Sequence, residues 1–192
     1  MVPPPEVVYL SLGTNQGDRV AQLEQALFAL ATHPEIQVTA VSRVYETEYV
    51  GPGRQDPYLN ACAELRTRLE PGVLLAVLKG TEQRQGRQPE SHLQPRPIDL
   101  DILMYGKRVM AGPGLTLPHL QMRERAFVLE PLTELAPQEK FPDSGETIAS
   151  VCAKIRRKSG PWIEPRVDVD LSNSLPDNNK EGWRAALAVH CR

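Results

Sequence analysis

The chain predicts an α+β fold, an α/β sandwich with a central, mainly antiparallel sheet flanked by helices. Three observations predict it. A strand–helix–strand run occurs twice between Val7 and Tyr105. Leu59 to Leu65 and Ile98 to Met104 place apolar residues at every second position, the period of a strand. The 192 residues carry 41% hydrophobic and 24% charged side chains, which supports a self-sufficient core and excludes collagen-like or wholly disordered chains.

The elements follow in order. Val7 to Leu12 is a short apolar run stopped by Gly13, a buried strand. Thr14 to Asp18 is turn chemistry, and Asp18 is placed to cap a helix. Val20, Leu23, Leu27 and Leu30 recur at helical spacing up to Pro34. Ile36, Val38 and Ala40 then alternate, and the strand they start points toward Tyr45. Tyr49 to Pro57 holds two prolines and two glycines and reads as a loop. Leu59, Ala61, Ala63 and Leu65 form one apolar strand face, against Asn60, Cys62, Glu64 and Arg66. Pro71 opens a helix with Val73, Leu74, Val77 and Leu78 on its apolar side, running to about Gly86.

Arg87 to Pro97 is polar and proline-rich, a loop. Ile98, Leu100, Ile102 and Met104 then alternate with Asp99, Asp101, Leu103 and Tyr105. Arg123 to Leu135 has helical spacing at Phe127, Val128 and Leu132. Strand–helix–strand repeated in this way is the ferredoxin-like arrangement, an antiparallel sheet with helices on one face. Past Cys152 the chain turns basic, then weakly ordered in composition. Residues 1–152 therefore read as one domain and 153–192 as a C-terminal extension, disordered in part. Trp162 and Trp183 are placed to anchor that extension to the body.

Composition limits the partners. A formal charge of -2 gives no pull toward nucleic acid or an anionic membrane. The apolar N-terminal stretch is too short to span a bilayer and lacks a basic flank, so a cytoplasmic setting is expected. Cys62, Cys152 and Cys191 are odd in number and widely spaced, without a CxxC pair. That excludes a zinc ribbon and suits a reduced compartment.

The most informative residues are Asp99 and Asp101. Period-two geometry puts both carboxylates on one strand face, about 7 Å apart. Two charges there would be costly in a plain core. Two hard-oxygen ligands suit Mg2+ when phosphates complete the shell. Such pairs also occur on wet edge strands, so the neighbours matter. Arg87 and Arg96 bracket the loop that leads into this strand, and arginine suits multidentate phosphate contact. Leu117-Pro118-His119 and Arg125 add cationic side chains downstream. Neither a Walker-type phosphate loop nor a dinucleotide fingerprint is present, so a nucleotide would be held by side chains and metal.

Six segments occur in order: Leu12-Gly13-Thr14-Asn15, Asp56 to Ala61, Gly86-Arg87, Pro95-Arg96-Pro97-Ile98-Asp99-Leu100-Asp101-Ile102-Leu103, Leu117-Pro118-His119, and Arg125 to Leu132. Together, over residues 6 to 150, they resemble the 6-hydroxymethyl-7,8-dihydropterin pyrophosphokinase family of folate biosynthesis. The resemblance implies a monomer on a ferredoxin-like core that transfers pyrophosphate from ATP to the pterin hydroxymethyl oxygen and releases AMP. It implies Asp99 and Asp101 as ligands of two Mg2+ ions, and Arg87 and Arg96 as catalytic arginines on the triphosphate. It implies ATP contacts at Glu82, Ile102, Thr116, His119 and Arg125. For the pterin it implies aromatic plates at Tyr58 and Phe127, an edge-reading amide at Asn60, and a flanking segment at Thr47, Glu48 and Val50. The reading requires both carboxylates to open into a cavity, and it fails if they are buried in ion pairs with lysine or arginine.

The chain departs from the family pattern in places. Gln88 to Gln94 carries no Arg, Lys or Trp where members often do, with His92 as a partial substitute. Leu120 follows His119 where some members have an aromatic residue, and Glu48 stands where proline is common. A looser nucleotide clamp is the expected consequence.

Overall fold

The computed structural model describes residues 4–88, 94–157 and 162–176. His92, Trp183 and Cys191, and most of the loop between Gln88 and Gln94, lie outside the described residues.

The first strand, β1 (Glu6–Thr14), is the apolar run expected at the start of the chain. Helix α1 (Arg19–Ala31) begins where Asp18 accepts a hydrogen bond from the Ala21 N–H at 3.1 Å, satisfying one of the free donors of the first turn. The alternating segment after Pro34 forms two strands, β2 (Ile36–Val41) and β3 (Val44–Thr47), broken at Ser42 and Arg43. The long strand β4 (Tyr58–Thr67) follows, then α2 (Pro71–Arg84) with Pro71 in its first turn, and β5 (Asp99–Tyr105).

Every pairing is antiparallel, and the main sheet runs β5–β1–β4. Beyond β4, the edge is shared by β2 along its distal half and β3 beside the Tyr58–Asn60 end. This is the α+β sandwich the sequence predicts. α1 and α2 cover one face, where Leu23, Leu27, Leu30, Leu74 and Leu78 pack on Val8, Leu10, Leu12, Leu65 and Leu100. Each buried leucine contributes about 1.5–3 kcal/mol relative to exposure.

Four features differ from the sequence expectation. The opposite face is also covered, by α3 (Ala126–Leu135) and α4 (Ile148–Arg156), packed on Tyr9, Cys62, Leu103 and Met104. α4 is held by local capping, since Thr147 accepts from the Ser150 N–H. A hairpin, β6 (Met110–Gly112) and β7 (Leu115–Leu117), occupies the glycine-rich stretch. A last strand, β8 (Ile163–Arg166), pairs with β3, so the chain beyond 153 contributes to the sheet.

The fourth difference is in β5. The register slips between Tyr9 and Leu10, where Tyr9 faces Met104 but Leu10 faces Ile102. This bulge reverses the alternation, so Met104 joins the α3 side and Tyr105 the α1 side. Asp99 and Asp101 lie before the bulge and keep the face the period assigns them. Cys62 and Cys152 are free and buried. Among the described residues no helix is long and apolar enough to cross a membrane.

Candidate active site

Strand register builds the floor of a cleft. Gly13 of β1 pairs with Asp99 on one side and Asn60 on the other. Ser11 pairs with Asp101 and with Cys62. A Cβ on Gly13 would lie 3.0 Å from Asn60 Oδ1, so the glycine leaves open the space between the acidic pair and the amide. A cavity of about 310 Å³ sits there.

One end of the cavity is ionic. Asp99 and Asp101 both open into it, with side chains 26% and 31% exposed. Arg87 and Arg96 line it too. Arg87 Nη1 donates to Asp99 Oδ1, and Arg96 Nη1 donates to Asp99 Oδ2 at 2.8 Å, so each oxygen of Asp99 already has a guanidinium. Asp101 is freer, with Lys79 Nζ 3.8 Å away. The two conditions set by the sequence reading thus separate. Both carboxylates face a cavity, and both are also ion-paired, Asp99 with Arg87 and Arg96 and Asp101 with Lys79. The ion-pair condition is met in part for each, while neither side chain is closed off from the cavity.

The electrostatics follow. Burial in the narrow cleft works to raise the Asp99 carboxyl, but Arg96 and Arg87 outweigh it and hold the group below its ordinary range. Asp101 is pushed upward by the same burial and by the neighbouring Asp99 charge, against Lys79 and His119. His119, which also lines the cavity, is pushed downward by burial and by Arg125, against the pull of Asp101.

Support for this end comes from α2 and the turn after β1. Glu82 is buried and accepts from Lys79 Nζ at 2.8 Å, the Leu100 N–H at 2.7 Å and Arg87 Nη1 at 2.7 Å. Burial pushes its carboxyl upward, against Lys79. Asn15 is buried and ties two loops together. Its Oδ1 accepts from the Arg96 N–H at 2.9 Å, and its Nδ2 donates to Gln55 Oε1 at 3.0 Å and to the Asp56 carbonyl at 3.4 Å.

The other end is aromatic and amide-bearing. Tyr58, Asn60 and Phe127 line it, with Thr47, Glu48 and Val50. Asn60 Nδ2 donates to Thr47 Oγ1 at 2.8 Å, which orients the amide and leaves its carbonyl oxygen and second N–H available. The Glu48 N–H donates to the Trp162 carbonyl at 3.3 Å, so the residue before β8 holds this wall. The expected helix from Arg123 is interrupted. A 3-10 turn, Met122–Glu124, ends at Arg125, whose extended backbone starts α3. That break presents both Arg125 and Phe127 to the cleft, with the guanidinium 5.6 Å from the ring centroid.

Most of the expected site residues are therefore brought together. Three are not among those lining the cavity: Glu82 sits behind Arg87, Ile102 is buried in the core, and Thr116 is half-buried on β7. Sequence reasoning assigned no role to Ser11, Gly13, Tyr49 or Gln121, which line the cavity, nor to Asn15 and Lys79, which organise it. Gly13 and Asn15 stand inside one of the six matching segments, and Lys79 is three residues from Glu82 on one helix. Those were the available signals.

Fold and cleft together define a class, a small α/β transferase whose cleft joins a cation-ringed acidic end to an aromatic one. The chain belongs to the 7,8-dihydro-6-hydroxymethylpterin-pyrophosphokinase (HPPK) family, whose model matches residues 9–137. A Pseudomonas aeruginosa 2-amino-4-hydroxy-6-hydroxymethyldihydropteridine pyrophosphokinase is 41% identical over 136 residues, 71% of this chain and 84% of that protein. A Synechocystis protein of the same description is 39% identical over 181 residues, 94% of this chain and 91% of that protein. Among solved structures, a Plasmodium falciparum HPPK-DHPS shares the fold with a TM-score of 0.63 at 16% identity, over 78% of this chain and 44% of that one. The chain spans less than half of that protein's length.

Proposed function

We infer that the protein transfers the pyrophosphoryl group of ATP to the hydroxymethyl oxygen of 6-hydroxymethyl-7,8-dihydropterin. The products are AMP and the pterin diphosphate, for folate biosynthesis. The observation that carries this reading is the single cavity joining the acidic pair and its arginines to Tyr58, Asn60 and Phe127. A site for a polyphosphate alone would not need the second set.

The donor set fits Mg2+. Two carboxylates project from one strand face into the cavity, and among the described residues no third His, Cys, Asp or Glu joins them. That leaves coordination positions for phosphate and water, as Mg2+ prefers. Asp99 and Asp101 are the residues that would hold two such ions. Bound there, Mg2+ neutralises phosphate charge and eases ionisation of the attacking hydroxyl.

The chain's own groups do the rest. Arg87 and Arg96 balance Asp99 in the free cleft and have the donors to turn onto the phosphates. His119 and Arg125 line the same cleft and add cationic side chains to it. Glu82 acts by holding Arg87, while Ile102 and Thr116 contribute through backbone on the nucleotide side. Tyr58 and Phe127 sandwich the heterocycle, Asn60 reads its edge, and Thr47, Glu48 and Val50 complete the wall. Attack is in line on the β-phosphorus, and catalysis comes from positioning and charge rather than a covalent intermediate. Asn15 ties Arg96 to the Gln55–Asp56 segment and so fixes the two relative to each other.

The catalytic unit is read as residues 1–152, with 153–192 an extension that completes α4 and adds β8 to the edge of the unit's sheet. The working form is a cytoplasmic monomer on small-molecule substrates, with no nucleic-acid or membrane partner, in keeping with the net charge of -2. Incubation with ATP, Mg2+ and the reduced pterin alcohol tests the reaction. AMP should accumulate one for one with pterin diphosphate. ADP or free pyrophosphate as the main product would overturn the reading.

A further inference from the structure

We propose that Ser11 is a specificity residue for the acceptor alcohol, its hydroxyl bonding the hydroxymethyl oxygen on the floor of the cleft. The proposal rests on the reading of the cavity as a joint ATP and pterin site.

The strand itself aims Ser11 into the cavity. β1 is paired along both edges, by β4 and by β5, so its backbone is covered. From Val8 to Thr14 every residue of the strand is buried except Ser11, which is half-buried. Its neighbours Leu10 and Leu12 point to the α1 and α2 face and are closed off completely. The surface that Ser11 retains therefore lies on the opposite face, where it lines the cavity with Gly13, its neighbour two residues on.

Register gives Ser11 its place between the two ends. It stands opposite Asp101 of β5, at a separation of about 4.5–5.5 Å between Cβ atoms. On its other side it stands opposite Cys62, which is buried under α3 with Sγ 3.6 Å from the Val128 carbonyl. Ser11 thus sits between an acidic ligand of the ionic end and the first turn of α3, whose Phe127 belongs to the aromatic end. One substrate group must meet both ends, the alcohol that joins the heterocycle to the phosphate.

The other hydroxyls around the cavity are not offered in this way. Thr47 Oγ1 accepts from Asn60, Tyr58 bonds Gln55 at 3.3 Å, and the Tyr49 oxygen has no accessible surface. Among the described residues the Ser11 hydroxyl makes no hydrogen bond. It can accept from the alcohol O–H and leave the oxygen lone pairs turned toward the phosphorus. A site built to bond a substrate hydroxyl discriminates against the analogue without it.

The test is isothermal titration of the pterin alcohol and of its 6-methyl counterpart, which lacks the hydroxyl, into protein saturated with α,β-methylene-ATP and Mg2+. Wild type should bind the alcohol more tightly. Ser11→Ala also removes just an oxygen, and it should shrink that preference about three- to tenfold, the range for one neutral hydrogen bond. The methyl ligand and the ATP analogue should bind variant and wild type alike. Loss confined to the alcohol supports the proposal whatever the melting temperature, because a purely structural defect would not distinguish the two pterins. An unchanged preference in Ser11→Ala overturns the proposal. So does equal weakening of both pterins, weakening of the ATP analogue, or a wild type that binds both pterins equally. Wild-type protein that binds neither pterin overturns the reading of the site along with it.

Discussion

The two ends of the cleft are built on different physics. At the ionic end, Asp99, Arg87, Arg96 and Glu82 hold one another through charge-assisted contacts between a strand, a helix and a loop. At the aromatic end, Tyr58, Asn60 and Thr47 sit on paired strands and are placed by sheet register. The first arrangement can exchange partners when a polyphosphate arrives. The second is preset and can only accept a ring of the right shape. Rate should therefore depend on the ionic end, and pterin selectivity on the aromatic one.

The largest expected effect tests that division directly. Replacing Asp99 and Asp101 together with alanine should lower kcat by about 10³-fold or more, since charge stabilisation is the main catalytic device. Pterin affinity should stay within about threefold of wild type, the scale of lost surface electrostatics. Removing divalent cations with EDTA should mimic the rate loss, and added Mg2+ should restore it. Unchanged turnover in the double variant would end the proposed role of the pair.

Asn15→Ala should break the separation of the two ends, because one amide holds both loops. Its loss leaves the Arg96 N–H without that acceptor and destabilises by about 1–3 kcal/mol. Steady-state kinetics should show KM rising for ATP and for pterin together, by about tenfold each on the same hydrogen-bond scale. A rise for one substrate only would show that the loops act separately.

Asn60→Ala should raise the pterin KM about tenfold and leave ATP-analogue binding intact, since it removes edge-reading bonds from the aromatic end alone. Equal weakening of both ligands would mean that the amide supports the floor rather than the pterin.

The smallest effect is expected behind the aromatic wall. Arg166 of β8 donates to Glu46 at 3.3 Å, and Glu46 also pairs with Arg19 at 2.8 Å, which in turn donates to the Pro57 carbonyl. Arg166→Ala should change pterin affinity by less than about threefold, because these pairs are partly exposed and Arg19 remains. A tenfold loss would make β8 a principal determinant of the pterin wall.

Much of this was legible in the residues. Period two put Asp99 and Asp101 on one face, Asp18 and Pro71 marked helix starts, and the ordered segments pointed to the two substrates. Other features were not legible. The bulge that reverses Met104 and Tyr105 comes from the register against β1, which no local pattern encodes. β8 was missed because four residues with little alternation become a strand only when an edge is offered to them.

By itself the sequence determined the order of elements from β1 to β5, apart from the break between β2 and β3, together with the face of the acidic pair and the family, because periodicity, capping chemistry and motif order are local properties of a chain. Only the tertiary structure decided that Gly13 would separate aspartate from asparagine, that Asp99 would meet two guanidiniums, and that both ends would share one cavity. Those facts depend on which strands become neighbours and in what register. That is settled by burying two apolar faces at once, a condition no single segment can state.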